Sequence, residues 1–308
     1  MRAWTVVTVH GHKALDKEIE GHTMALNPEA VGSVGEPYKI SWTSKDSLLY
    51  AVSLNVSSDQ LAYVTENSTG VVQKALPTMP VVLGSGQATA ASNPMRNVGE
   101  FNFANLVHAS QSITLHQPLP VEGTATVQSK LVAMYDKVKA AVIVTEAEAT
   151  DADGKPLYST RSSVFIRDAG GFGGERGPSG AQNEPPAKAP DHEITFQTSA
   201  DQALLYRLNG DRNPLHSDPN HPAVAAGVFP KPILHGLCTY GFTGRGLLNA
   251  LCGGDANRFK HIEGRFASPV FPGEALTIKM WETAKGEAVF TTSVGDRVVI
   301  DQGLVRFS

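Results

Sequence analysis

An internal repeat constrains the fold of this chain more than any other feature of its sequence. The segment Thr43–Tyr50 (TSKDSLLY) returns, with one inserted residue, as Thr198–Tyr206 (TSADQALLY). Two further pairs follow in the same order, each roughly 150 residues apart: Pro77–Gly84 (PTMPVVLG) with Pro230–Gly236 (PKPILHG), and Pro118–Gly123 (PLPVEG) with Pro269–Glu274 (PVFPGE). Matches at a fixed offset indicate duplicated structural units. We therefore predict two similar domains in tandem.

A segment rich in glycine and proline, from Gly170 to Pro190, lies between the two copies. Its composition is typical of an extended connection. We place the domain boundary near residue 180, which gives a first half at residues 24–180 and a second half at residues 181–308. Residues 1–23 have no clear hydrophobic period and contain three histidines. We expect them to be an extension or a cloning remnant outside the fold.

Hydrophobic periodicity predicts the same order in each half, a helical stretch followed by several strands. In the second half we predict a helix at about 234–251, ended by Gly253 and Gly254. Predicted strands lie at about 259–267, 274–283, 286–294 and 297–307, and in the first half at about 111–116, 123–135, 138–149 and 157–167. A helix that covers one face of an antiparallel sheet satisfies this order. We predict an α+β fold, a tandem (double) hot-dog in which each half packs a long helix on a curved sheet.

Composition excludes several classes of partner. The chain has 308 residues and a net charge of -4, with scattered Lys and Arg, so we expect no nucleic-acid partner. Apolar runs are too short to span a bilayer, and the first residues lack the pattern of a secretory signal. Cys238 and Cys252 lie in an apolar stretch, as is typical of buried reduced thiols. We expect a cytoplasmic protein with no membrane partner.

The segment Tyr206–Pro219 (YRLNGDRNPLHSDP) concentrates reactive side chains in a loop. Asp211, Asn213 and His216 bring an acid, an amide and an imidazole together within six residues. On its own, an Asp-x-Asn-Pro sequence is more often a turn or a helix cap than a catalytic site. Adding water to a conjugated thioester needs a base, an acid and a donor for the enolate-like oxygen. This loop offers the first two, and the Gly236 N–H at a helix start offers the third.

The loop and the segment Lys231–Gly241 (KPILHGLCTYG) together closely resemble the signature of type-2 enoyl-CoA hydratases of the MaoC-like family. The resemblance implies a double hot-dog fold, a homodimer, and hydration of trans-2-enoyl-CoA to (R)-3-hydroxyacyl-CoA without a metal or redox cofactor. By matched position it implies that Asp211 and His216 form the catalytic pair. It further implies that Asn213 helps to hold the water and that Gly236 donates its N–H to the thioester oxygen.

The resemblance also implies contacts with the CoA ester. The candidate substrate-binding residues are His108, Lys137, Phe266, Arg212, Pro214 and Leu215. Two departures from the family pattern are visible. Ala109 stands where the family usually has glycine, and the segment between His216 and Gly236 is slightly longer than usual.

The first half lacks the catalytic pair. Counting from the matched tyrosines Tyr50 and Tyr206, Asn55 takes the position of Asp211, and no histidine matches His216. The resemblance implies that the altered helix region of this half makes room for bulky acyl tails. We therefore predict that the first half binds the acyl tail and takes no part in the chemistry.

Two other functions are compatible with the same fold. One is a hot-dog thioesterase that hydrolyses the ligand at its carbonyl carbon, and the other is a non-catalytic acyl-CoA-binding subunit. The intact pair Asp211 and His216 argues against the second. The sequence leaves open which of the two protonates carbon, and we favour Asp211 as the acid. We expect no metal site, because His216, Asp218, His221 and His235 lack a recognisable ligand spacing.

Overall fold

The computed structural model describes residues 26–308, apart from the side chain of Ala104. The predicted extension at residues 1–23 therefore lies outside the described residues. Between the last strand of the first half and the first strand of the second, residues 168–191 form neither helix nor strand. The domain boundary near residue 180 stays a prediction.

One antiparallel sheet of ten strands forms the framework. Its strands are β1 (Tyr38–Trp42), β2 (Leu106–Leu115), β3 (Gly123–Asp136), β4 (Ala140–Thr150), β5 (Pro156–Arg167), β6 (His192–Gln197), β7 (Phe259–Phe266), β8 (Ala275–Ala284), β9 (Glu287–Val294) and β10 (Arg297–Phe307), in the spatial order β1-β3-β4-β5-β2-β7-β10-β9-β8-β6. The helices are α1 (Ser44–Val52), α2 (Leu61–Val64), α3 (Gln202–Tyr206), α4 (Pro222–Ala225) and α5 (Gly236–Cys252). The predicted α+β double hot-dog fold is confirmed.

Strands β2 and β7 join the two halves. They pair antiparallel, from Ser110 opposite Arg265 to Thr114 opposite His261. On either side of this seam each half contributes five strands, and the short strands β1 and β6 occupy the two outer edges. The repeat in the sequence is thus a repeat in the sheet.

The predicted long helix of the second half is α5, which is almost completely buried. It ends where Gly253 adopts a left-handed conformation with φ of 62°, as expected for a glycine after a helix. Two other glycines allow close packing, since a Cβ on Gly241 would lie 2.8 Å from Leu54 and one on Gly244 would lie 2.3 Å from Thr78. The helix of the second half therefore packs directly against residues of the first.

The prediction of a long helix in each half is wrong for the first half. Among the described residues, the segment that matches the start of α5 forms only a short 3₁₀ turn, Met79–Val81. Gly84 and Gly86 follow with φ of 80° and 77°, a conformation that no α-helix contains. Asn93 and Pro94 then begin another 3₁₀ turn. The two halves share their strands but not their helical layer.

The two copies of the first repeated motif meet in the core. Helix α1 begins with a capping box between Thr43 and Asp46, which gives Asp46 a structural role. The matched tyrosines Tyr50 and Tyr206 are completely buried, with ring centroids 6.3 Å apart. Across residues 26–308, no helix combines the length and apolarity of a membrane span.

Candidate active site

The loop that contains Asp211 is shaped by turn chemistry. Gly210 ends a 3₁₀ turn with φ of 119°. The Asp211 carboxylate accepts a hydrogen bond from the Asn213 N–H at 3.2 Å, and the Asn213 Oδ1 accepts one from the Leu215 N–H at 3.0 Å. The second bond caps the 3₁₀ turn Pro214–His216. Asp211 and Asn213 therefore shape a turn, as is usual for an Asp-x-Asn-Pro sequence. The Asn213 Nδ2 and one Asp211 oxygen remain available for other partners.

His216 is held in one tautomer by the backbone. Its Nδ1 lies 2.9 Å from the Ile233 carbonyl oxygen, and a carbonyl only accepts hydrogen bonds. The proton is therefore on Nδ1, and Nε2 carries a lone pair. Burial lowers the pKa of His216 below its ordinary value of 6.5. At neutral pH the ring is thus uncharged and able to accept a proton.

His235 connects the components of the site, although its sequence context suggested only a metal ligand, a role that we did not expect. Its ring stacks on that of His216, with centroids 3.8 Å apart and planes inclined by 28°. Its Nε2 lies 3.3 Å from the Asp211 carbonyl oxygen. The side chain is 1% exposed, and its Nδ1 is buried without a partner among the described residues. Burial lowers the pKa of His235 to about 4, so the stacked pair is uncharged.

Gly236 is the first residue of α5, directly after His235. Its N–H has no acceptor within residues 26–308, as expected for the first turn of a helix. A Cβ on Gly236 would lie 3.3 Å from the ring of Phe266. Glycine therefore keeps a narrow space open beside a free N–H at the positive end of the α5 dipole.

His108, on strand β2, is a residue of the first half that lies close to Phe266 at this site. Its ring lies 4.9 Å from that of Phe266, centroid to centroid. Its Nε2 lies 3.0 Å from the Ser110 carbonyl and 2.9 Å from the Ser162 hydroxyl. Burial lowers the pKa of His108 to about 4, and the Asp211 charge opposes that shift. The site lies at the seam between the halves.

Comparisons with known proteins match both halves of the chain. The MaoC like domain matches residues 181–302, and the MFE-2 hydratase 2 N-terminal domain matches residues 40–168. The chain is 45% identical to 3-hydroxyacyl-thioester dehydratase Y of Mycobacterium tuberculosis, over 92% of this chain and 99% of the relative. It is 40% identical to Enoyl-CoA hydratase ChsH3 of the same organism, over 83% and 89%. The chain belongs to the MaoC-like hydratase and dehydratase family.

A solved structure extends the comparison to three dimensions. A MaoC-like dehydratase from Phytophthora capsici superposes with a TM-score of 0.81 at 33% identity, covering 92% of this chain and 98% of the other. The relatives are therefore matched along both halves of this MaoC-like chain, including the half in which Asn55 stands at the position of Asp211.

The remaining candidate substrate-binding residues are placed less centrally in this MaoC-like chain. Arg212 and Pro214 are exposed, and Leu215 is half-buried. The Lys137 ammonium donates to the backbone carbonyls of Arg176 and Pro178 in the connection between the halves. No contact within the described part of the chain joins Lys137 to the catalytic loop.

Asp211, His216 and His235 form a possible metal-binding group in this MaoC-like site. One ligand atom from each lies within 4.8 Å of the others. The histidines and Asp218 considered from the sequence form a different group, because the order of the chain does not place Asp211 beside His235. The lone pairs of an imidazole lie in the plane of its ring, so two nearly parallel stacked rings present them side by side and do not converge on one ion. The geometry favours a proton-transfer site.

Proposed function

We propose that this protein hydrates trans-2-enoyl-CoA reversibly to (R)-3-hydroxyacyl-CoA. The observation that carries the proposal is that the Asp211 carboxylate and the His216 imidazole lie within 4.8 Å of each other and of His235, the residue directly before the free N–H of Gly236. General base, general acid and oxyanion donor are what the addition of water to a conjugated thioester requires. The names of the M. tuberculosis relatives support the same reaction.

The proposed chemistry balances without an external acid. A water held by Asp211, His216 and the Asn213 Nδ2 attacks the β-carbon as the catalytic pair takes one of its protons. The π electrons move towards the thioester, whose oxygen is stabilised by the Gly236 N–H. The pair then returns one proton to the α-carbon and regains its starting state. We assign this delivery to Asp211, whose carboxylate receives the water proton from the His216 imidazolium and passes it to the α-carbon. Addition on one face follows because one water supplies both groups.

Crotonyl-CoA tests the reaction. A hydratase removes the enoyl absorbance without releasing free thiol, and chiral analysis of its product identifies the (R)-3-hydroxyacyl thioester. Release of free thiol would instead identify a thioesterase. Failure to turn over short, long or steroid-sized enoyl thioesters would identify a non-catalytic binding protein. We expect hydration to persist after treatment with EDTA, since the proposal uses no metal or other cofactor.

Substitution of the catalytic pair tests the residues. We expect Asp211→Ala and His216→Ala each to lower kcat by about a hundredfold or more, the usual contribution of general acid-base catalysis. His116→Ala is the matched control, because His116 is an exposed histidine after β2 whose side chain no described contact joins to Asp211 or His216. Wild-type turnover in either catalytic variant, with circular dichroism unchanged, would refute its assignment.

We assign acyl-tail binding to the first half. Asn55, which stands in the position of Asp211, is occupied structurally. It has φ of 56°, and its side chain donates to the Gln197 carbonyl at 3.1 Å. Its own carbonyl accepts from Arg245 at 3.0 Å. These bonds support a half that has a structural and binding role in place of proton transfer.

We also propose that the enzyme is a cytoplasmic homodimer. The free, buried thiols of Cys238 and Cys252 are typical of proteins in reducing compartments. The dimer is proposed from the family resemblance. Light scattering coupled to size-exclusion chromatography measures its mass, and a monomer at micromolar concentration would exclude it. Cell fractionation tests the location.

A further inference from the structure

A cavity of about 170 Å³ lies in the first half, where the second half has its long helix. One side is formed by Pro80, Val81 and Leu83, from the segment that replaces the helix. The opposite side is formed by Gln111, Thr160 and Tyr158 on the sheet, and Tyr38 completes it. We call this space the acyl cavity. The side formed by the segment is apolar, and the sheet side carries amide and hydroxyl groups beside the apolar Val127 and Ala147.

The sheet side of the acyl cavity leads to the active site. Side chains two residues apart on a strand share a face, so Ser162, Thr160 and Tyr158 form one row along β5. Ser162 contacts His108 at 2.9 Å, and Gln111, which lines the cavity, also interacts with His108. Four residues of strand span about 13 Å. Tyr158 is therefore about one medium-length acyl chain away from His108.

Two tyrosine hydroxyls at the far end have no partner. Tyr158 is 3% exposed, yet neither it nor Tyr38 makes a side-chain hydrogen bond to any described residue. By contrast, the buried hydroxyls of Tyr50 and Tyr240 lie 3.1 Å from Thr78 and 2.8 Å from the Ile262 carbonyl. Buried tyrosine hydroxyls usually have such a partner. The Tyr38 and Tyr158 hydroxyls at the cavity are therefore available to form a hydrogen bond with a ligand.

We propose that the Tyr38 and Tyr158 hydroxyls make the acyl cavity selective for enoyl thioesters whose acyl chain carries a hydroxyl or oxo group far from the thioester. The inference rests on the proposed function, because it takes the acyl chain of that substrate as the occupant. Tyr38 is half-buried and Tyr158 is buried. An unsubstituted chain that fills the cavity would displace water from the Tyr158 hydroxyl without replacing its hydrogen bond, and an unpaired polar group of this kind costs free energy. A chain with a polar group at that depth replaces the hydrogen bond.

The test compares matched thioesters. Hexenoyl-, octenoyl-, decenoyl- and dodecenoyl-CoA are each paired with the analogue that carries a terminal hydroxyl. At the length that reaches Tyr158, we expect kcat/KM to be roughly threefold to tenfold higher for the hydroxylated member, the effect of one hydrogen bond. Preference for the unsubstituted chain at every length would overturn the proposal.

Three variants locate the effect. Tyr158→Phe and Tyr38→Phe remove only the hydroxyls, and we expect each to bring the ratio of hydroxylated to plain substrate close to one. Tyr135→Phe makes the same change on β3, outside the cavity, and should leave the ratio as in the wild type. Every value is divided by the turnover of crotonyl-CoA in the same variant, which corrects for general damage. If the ratio of hydroxylated to plain substrate in Tyr158→Phe stays at the wild-type value, the role of Tyr158 is contradicted.

A binding measurement separates this proposal from the proposed reaction. Calorimetry with decanoyl-CoA and its terminally hydroxylated analogue needs no turnover, so it reports on the cavity even if crotonyl-CoA is not hydrated. We expect tighter binding of the hydroxylated ligand by the wild type and equal binding by Tyr158→Phe. Ala147→Leu, which fills the cavity from the sheet side, should weaken both ligands. Unchanged binding in Ala147→Leu would show that the acyl chain lies elsewhere.

Discussion

The two stacked imidazoles differ in which of their ring nitrogens is already hydrogen-bonded. The Nδ1 proton of His216 is committed to a backbone carbonyl, which leaves Nε2 as a base. His235 directs its Nε2 at the Asp211 carbonyl and is sealed from solvent. Because the rings are in contact, a charge on one disfavours a charge on the other. Burial therefore keeps the base uncharged without a neighbouring cation.

The pH profile should reflect the protonation of His216. The base works only when uncharged, and its pKa lies below 6.5. We expect kcat/KM for crotonyl-CoA to be flat through neutral pH and to fall only as the pH drops through that lowered pKa. An acid limb with a midpoint at or above the ordinary histidine value would contradict the assignment. A pH series of initial rates provides the measurement.

His235 should act as a positioning residue. His235→Phe keeps a ring against His216 but removes the hydrogen bond to the Asp211 backbone. We expect kcat to fall by about tenfold with KM little changed, because small misplacements of catalytic groups are costly. His235→Gln can keep a donor near the carbonyl and should recover part of the loss. If Phe and Gln behave alike, the hydrogen bond has no role.

The sequence points to the candidate residues of this site more readily than to the residues that pack around them. Asp211, His216 and Gly236 are recognisable because a loop and a helix start carry them in a known pattern. His235 lies 24 residues after Asp211 in the chain, and its stacking on His216 exists only once the loop folds back on α5. The only sequence signal was its place directly before Gly236. His108 was predicted from resemblance alone, since its approach depends on the pairing of β2 with β7.

At the scale of elements, alternation identified eight of the ten strands and missed the two shortest. Strands β1 and β6 have 5 and 6 residues and form the sheet edges. The periodicity over so few residues is weak. The error over the first-half helix has another cause. Its segment shares proline and apolar residues with the start of α5, but glycines at positive φ prevent a helix from continuing.

Gly244 should be required for the contact between α5 and the first half. A Cβ on Gly244 would lie 2.3 Å from the Thr78 Cγ2. We expect Gly244→Ala to lower the free energy of unfolding by about 1–3 kcal/mol through overpacking, against a gain in helix propensity of about 1 kcal/mol. Urea denaturation measures the balance. Thr78→Ser removes the methyl group and keeps the hydroxyl near Tyr50. The double variant should therefore recover stability. If it does not, the strain in Gly244→Ala lies at another contact.

For the molecule as a whole, the two halves share one main core. The largest cluster of buried apolar side chains draws members from both halves, including Ile40, Leu54, Ile113, Leu247, Ile262 and Ile300. The sheet is continuous across the β2–β7 seam, and the Asp211 charge acts on His108 of the other half. We therefore expect that the two halves do not fold independently of each other.

Separation of the halves should abolish folding of each and be reversible by mixing. A break in the chain between Pro178 and Asn183 keeps the hydrogen bond from Lys137 to Pro178 within the first fragment. It keeps the hydrogen bond from Asn183 to Glu263 within the second. Each fragment alone would expose half of a shared core and one unpaired seam strand, so we expect broad, non-cooperative melting by circular dichroism. Co-expressed fragments should associate and hydrate crotonyl-CoA, because both sides of the active site are restored. A cooperative transition in the second half alone, together with turnover, would show that the first half is dispensable for both stability and chemistry.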